Sequence, residues 1–248
     1  MALLRKPWIW VLLAIAVLAA GATVNSMLLE GRLVRLYPDS VPGDRALYEI
    51  GRKAGRTIFQ SHCSSCHAMN GRGDRDWGIA DLADHDWLYG TGGVGEIEWT
   101  IRHGIRAHDP RTWKLASMPA FGTPRPYAAY RIDPLSPDDI RDVVEYLVSL
   151  RGQDADMAAA KRGSVIYQNK GQCFDCHATD ARGDSSIGAP NLTDKVNLYG
   201  DGGRKSLVDT ITQGRAGICP AWESRLTSLE LREVALYVYS LSHSMDKK

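Results

Sequence analysis

The five residues Cys63-Ser64-Ser65-Cys66-His67 constrain this chain more than any others. They spell C-x-x-C-H, the attachment pattern of a c-type haem. Two thiols stand where each can add to a porphyrin vinyl group, and the next imidazole stands where it can ligate iron. A redox pair or half of a zinc site also contains C-x-x-C. The whole pattern recurs at Cys173-Phe174-Asp175-Cys176-His177, and neither of those readings explains a histidine in the same place twice. Two covalently bound haem c groups are therefore expected. They consume four of the five cysteines and leave Cys219 to be explained.

Everything after residue 43 is a duplication. The offset that carries Cys63 onto Cys173 also carries residues 81–90 onto 191–200, Gly92-Gly93 onto Gly202-Gly203, and Gly104 onto Gly214. The offset then shortens. Met118-Pro119-Ala120-Phe121 aligns with Cys219-Pro220-Ala221-Trp222, so the first copy carries about nine extra residues in a loop.

Each copy reads as a helix before the haem motif (residues 44–61 and 154–169), a loop carrying the motif, and a short helix (94–103 and 204–213). A second loop and a closing helix follow (137–151 and 228–242). Ser136 with Asp139, and Thr227 with Glu230, have capping-box spacing. Ile140, Val143, Tyr146 and Leu150, matched by Leu231, Val234, Tyr237 and Leu241, give each closing helix one apolar face. No stretch alternates as a strand does, so both copies are expected to be all-α. The expected division is 1–43 as anchor and linker, 44–152 as the first domain and 153–248 as the second.

Residues 8–29 are largely apolar and uncharged, long enough for one bilayer crossing. Arg5 and Lys6 precede them and place the N-terminus on the cytoplasmic side. The haem domains then lie beyond the membrane, where c-type haem is attached. That fits a single-pass protein of a bacterial inner membrane with its haem domains in the periplasm. Ala20-Gly21-Ala22 also suits a signal-peptide cleavage site; the apolar run continues past it to Leu29, which favours a retained helix. A formal net charge of +1 suggests no nucleic-acid partner.

Gly90-Thr91-Gly92-Gly93-Val94-Gly95 matches G-x-G-x-x-G but lacks the preceding strand that a dinucleotide site needs. Its glycines read as turn residues with positive φ. His62, His85, His103, His108 and His243 show no metal-ligand spacing and read mostly as surface residues.

The remaining chemistry is the sixth iron ligand. Met118, ahead of Pro119 and the first closing helix, is the expected partner of His67. The matching position in the second copy is Cys219. Three readings stay open there. Cys219 ligates as thiolate and lowers that haem's potential, or it stays a neutral thiol beside a five-coordinate iron, or Met245 substitutes. A five-coordinate iron would suit gas sensing. Tyr89, Tyr199, Trp87 and Asn197 either contact haem propionates or pack the core. Arg106 and Arg215 either neutralise propionates or are solvated charges.

These residues together resemble the FixP or CcoP family, the dihaem subunit III of cbb3-type cytochrome c oxidase. The resemblance rests on both C-x-x-C-H motifs, the single apolar helix, residues 86–90, residues 100–106 leading to 118–122, and residues 188–194 with 214–222. It covers about residues 44–242. It implies one N-terminal transmembrane helix followed by two tandem class I cytochrome c-like domains. It also implies electron relay, from a soluble or membrane cytochrome donor to the catalytic subunit of a haem-copper oxidase. The family's usual His/Met ligation carries over to His67 with Met118, and to His177; Cys219 departs from it. So does the stretch before the anchor, which lacks the family's usual polar and aromatic segment. A free-standing membrane-anchored dihaem cytochrome is the alternative. A carrier of this kind needs no catalytic residues of its own.

Overall fold

The computed structural model describes residues 7–124 and 133–243. Arg5, Lys6 and Met245, invoked above, lie outside the described residues. Helix α1, Pro7–Arg35, continues past Leu29 for nearly two further turns. Its large apolar side chains, among them Trp10, Ile15, Leu18, Val24 and Leu28, stand exposed, and Trp10–Arg35 is long and apolar enough to cross a membrane. Its last turn is different, because Leu33 is completely buried. A 3-10 turn, Pro38–Gly43, follows and buries Val41.

The repeated helices appear where the pattern placed them. The first copy holds α2 (Arg45–His62), the single-turn α3 (Ser64–His67), α4 (Val94–His103) and α5 (Pro137–Leu150). The second holds α6 (Met157–Gln168), the single-turn α7 (Phe174–His177), α8 (Arg204–Gln213) and α9 (Ser228–Ser242). Both capping boxes form: Asp139 N–H donates to Ser136 Oγ, and Glu230 N–H donates to Thr227 Oγ1. Helix α6 starts later than expected because Asp156, not Asp154, accepts the first free amides, from Ala158 and Ala159. Gly90 and Gly92 have positive φ, whereas Gly93 caps α4 with φ −65°. Among the described residues there are isolated β-bridges but no strand.

The packing does not follow the order of the copies. One core joins Leu33, Val41, Leu47, Phe59, Val94 and Ile97 to Leu231, Val234 and Leu236. The other joins Phe121, Ile140, Val143, Leu147, Tyr167, Leu207 and Ile211. Helix α9 therefore closes the first unit against α2 and α4, and α5 closes the second against α6 and α8. Each copy lends its last helix to the other.

Two matched glycines permit the close crossings. A methyl group on Gly55 of α2 would fall 1.9 Å from Glu233 O of α9, and one on Gly163 of α6 would fall 1.9 Å from Asp142 O of α5. The expected boundary at 152/153 separates the sequence repeats, but in space it cuts between the packed pair α5 and α6. The short link across residues 151–156 lets those two helices fold back on each other directly.

A pseudo-two-fold relation joins the units. Gly90 N–H donates to Ser185 O at 3.1 Å, and Gly200 N–H to Arg75 O at 2.9 Å. Ile105 and Cys219 exchange both backbone hydrogen bonds, as do Arg215 and Met118. The Tyr89 ring lies over Gly188, and the Tyr199 ring over Gly78. Each of these contacts has its counterpart at the matching position of the other copy, as in an isologous interface.

Candidate functional site

Each C-x-x-C-H motif forms one helical turn, with Cys63 and Cys173 at the N-caps. Ala68 and Ala178 then take positive φ (59° and 61°), which ends the turn and sends the chain around the histidine. His67 Nδ1 lies 3.1 Å from Ala80 O, and His177 Nδ1 lies 3.0 Å from Pro190 O. A carbonyl only accepts, so Nδ1 carries the proton and Nε2 keeps its lone pair, the form in which imidazole ligates a metal. Burial pushes both histidines below the usual imidazole range, partly countered by those carbonyls, which favours the neutral ring. The four motif cysteines are thiols, not disulfides. Two thiols beside one oriented imidazole, twice over, fit covalent haem.

The sixth-ligand candidates fall the opposite way from their order in the chain. Cys219 pairs through its backbone with Ile105, just past α4 of the first unit, within electrostatic reach of the Cys63 and Cys66 thiols. Burial pushes the Cys63 thiol up to about 11, with Cys219 and then Cys66 adding to the rise. Cys219 is likewise pushed up to about 11 by burial and then by Cys66. Trp222, three residues on, packs on the first core together with Cys63, its ring 5.3 Å from that of His62. Met118 packs on the second core together with Cys173 and Phe174. The Cys219 loop thus lies with the His67 motif and the Met118 loop with the His177 motif, the reverse of the order expected. The cause is the trade of closing helices, because each candidate lies on the loop leading into the helix that its copy lends away.

The arginines proposed for propionates are occupied with protein groups. Arg106 donates to Gly217 O, Ala116 O and the Tyr89 hydroxyl, bracing the loop before Cys219. Arg215 donates to Thr210 Oγ1 and lies 4.4 Å over the Tyr199 ring. Trp87 packs on the first core, and Asn197 accepts from Arg151 Nη1 at 3.0 Å. Ala80 and Pro190, whose carbonyls hold the two histidines, line one cleft between the units with Ile79, Asp86, Val196 and Leu198.

Sequence reading missed several residues. Arg151 is buried and also donates to Leu192 O. His103, expected at the surface, is 1% exposed and contacts Asp109 at 3.2 Å. Asp109 belongs to the first copy's extra loop, and Glu223 completes a cluster with it from the second copy. The one available signal was charge: that loop carries Asp109 and Arg111, and Glu223 stands where the first copy has Gly122.

Residues 53–151 match the family model for cytochrome c, and residues 158–238 match that for cytochrome C oxidase, cbb3-type, subunit III. The chain is 35% identical over 222 residues to the Cbb3-type cytochrome c oxidase subunit CcoP of Cereibacter sphaeroides, covering 90% of this chain and 70% of that one. It is 37% identical over 220 residues to the corresponding Rhodobacter capsulatus subunit, covering 86% and 69%. It is 38% identical over 202 residues to the FixP subunit of a Bradyrhizobium species, covering 80% and 63%.

Proposed function

We infer the function from one premise: the chain belongs to the CcoP/FixP family, the subunit III of cbb3-type cytochrome c oxidase. It is a membrane-anchored dihaem c-type cytochrome that relays single electrons to the oxidase. Bound haem supplies a one-electron iron couple whose potential follows its axial donors. The chain's own residues attach it, orient it and choose those donors.

Cys63 and Cys66 attach one haem, and Cys173 and Cys176 the other. His67 and His177 are the proximal ligands, each held by its Nδ1–H to a backbone carbonyl. Cys219 serves the His67 haem and Met118 serves the His177 haem. An anionic sulfur favours ferric iron more than a thioether does, so the His67 haem is the lower-potential member of the pair. The observation that carries this assignment is the paired backbone ladder, which seats the Cys219 loop on the first unit and the Met118 loop on the second. The carbonyls bracing both histidines line one cleft, which supports electron passage between units through their interface.

Membrane attachment is by α1. Arg5 and Lys6 support a cytoplasmic N-terminus and a periplasmic haem region. The acceptor is the catalytic subunit of the oxidase, and the donor a soluble or membrane cytochrome.

Redox titration followed by optical and electron paramagnetic resonance spectra tests the haem assignment. Two haem equivalents are expected, one with a thiolate signature and one with His/Met ligation. Cys219→Met converts the first signature and raises the lower potential; Met118→Ala abolishes the second alone. Two unchanged spectra after Cys219→Met would rule out ligation by Cys219. Copurification with a haem-copper catalytic subunit tests the partner.

A further inference from the structure

We propose that the first copy's extra loop, residues 105–117, is a latch that positions the Cys219 loop, with Arg111 and Glu223 as its closing pair. This rests on the reading that Cys219 serves the His67 haem. The two ligand loops have the same backbone pairing, Ile105 with Cys219 and Arg215 with Met118. Among the described residues, the Cys219 side carries an added loop with its own ion pairs.

There Trp113 N–H donates to Gly104 O, and Arg106 N–H donates to Trp113 O, which folds the extra loop back over the pairing. The Trp113 ring stacks on Tyr89 at 5.2 Å. The Arg111 guanidinium bridges Asp109 and Glu223. Asp109 also meets the buried His103 of α4. Glu223 is held from its other side by Arg102 at 3.6 Å, and its backbone N–H donates to Arg102 O. Glu223 lies only four residues beyond Cys219. The groups around these two carboxylates are thus His103, Arg102 and Arg111, all from the first copy, and Glu223 is the carboxylate that the second copy brings to them.

The second unit has no equivalent device among the described residues. On the Met118 side, Phe121 and Gly122 donate to Ile211 O and Thr212 O, and Leu135 N–H donates to Phe121 O. The difference is one of chemistry as well as of length. A loop bearing a ligating sulfur must be held in place, and an added loop pinned by the Trp113–Tyr89 stack and the bridged ion pair does that. Arg111 and Glu223 are therefore positioning residues for Cys219, not ligands.

The test uses the full-length, haem-loaded protein in detergent, where Cys219 is the one cysteine not joined to haem through a thioether. The readouts are its alkylation rate by a maleimide and the spectrum of each haem. Glu223→Gln and Arg111→Ala should each raise alkylation about fivefold, the shift expected from losing one partly exposed ion pair. They should also weaken the thiolate signature while leaving the His/Met haem untouched. Arg111→Lys, which keeps a cation between Asp109 and Glu223, should retain most of the protection and of the thiolate signature. Unchanged alkylation in Glu223→Gln and Arg111→Ala would overturn the latch, as would equal disturbance of the two haems. The ligand reading is judged separately, by Cys219→Met alone: alkylation still reports the latch if that variant shows no spectral change.

Discussion

Replacing Gly163 by alanine tests the exchange of helices directly. The added methyl would lie 1.9 Å from Asp142 O, 2.4 Å from its carbonyl carbon and 2.8 Å from Val143 N. Comfortable contact begins near 3.5 Å, so α5 and α6 must part by roughly 1.5 Å. Both sides of the clash are backbone, and no side chain can rotate away. Overpacking of this kind costs about 1–3 kcal/mol, and a backbone clash belongs at or above the top of that range. Alanine's better helix propensity returns about 1 kcal/mol. The net loss is about 2–3 kcal/mol, a fall of roughly 5–10 °C in the unfolding midpoint. Thermal unfolding followed at the haem absorption band measures it. Gly31→Ala, with nothing within 4 Å of the new methyl, is the control and should be neutral or slightly stabilising. The exchange adds a signature. Gly163→Ala should disturb the haem served by Met118, and Gly55→Ala the haem served by Cys219. If Gly163→Ala were as stable as the control, or disturbed only the thiolate signature, the exchanged packing would be refuted.

Two further perturbations follow from buried charges in the first unit. Arg232→Met strands the Leu33 and Leu36 carbonyls and removes one partner of buried Glu98, so about 3 kcal/mol should be lost. Adding Glu98→Leu should recover only the share due to the stranded carboxylate, since both carbonyls stay unmet, and a double-mutant unfolding cycle showing simple additivity would count against the pairing. Glu233 is held up at about 7 by burial, then by Glu30 and Glu230. Its folded pKa lies above its ordinary 4.5, so the folded state keeps the proton longer and stability falls as pH rises from about 4.5 to about 7. Glu233→Gln should therefore gain at most about 3 kcal/mol at pH 8 and nothing near pH 4; an equal gain at both would refute this.

The sequence made the helices and both haem motifs legible because each rests on local chemistry. Ser136 and Thr227 cap through residues three positions away, and each C-x-x-C-H motif sits within one turn. What sequence could not decide was which closing helix meets which partner. α5 and α9 present equivalent apolar faces, Ile140 and Val143 against Leu231 and Val234, and Gly55 and Gly163 offer equivalent crossings. Two pairings satisfy the same pattern, so the assignment of Met118 and Cys219 went with the pairing. The short link before α6 favoured the exchange, and Glu223 facing an extra loop with Asp109 and Arg111 was a fainter pointer to it.

The end of α1 bears on how far the haems can travel. Arg232, in the helix that closes the first unit, donates to both Leu33 O and Leu36 O, while Leu33 and Val41 are sealed beneath the same unit. At 29 residues α1 is about 43 Å long, some 13 Å more than a hydrocarbon layer requires. The excess is a stiff mast bolted to the cargo it carries, not a leash. Such a cytochrome cannot swing out to meet a distant collaborator. Whatever hands it electrons has to come to a fixed berth just above the bilayer.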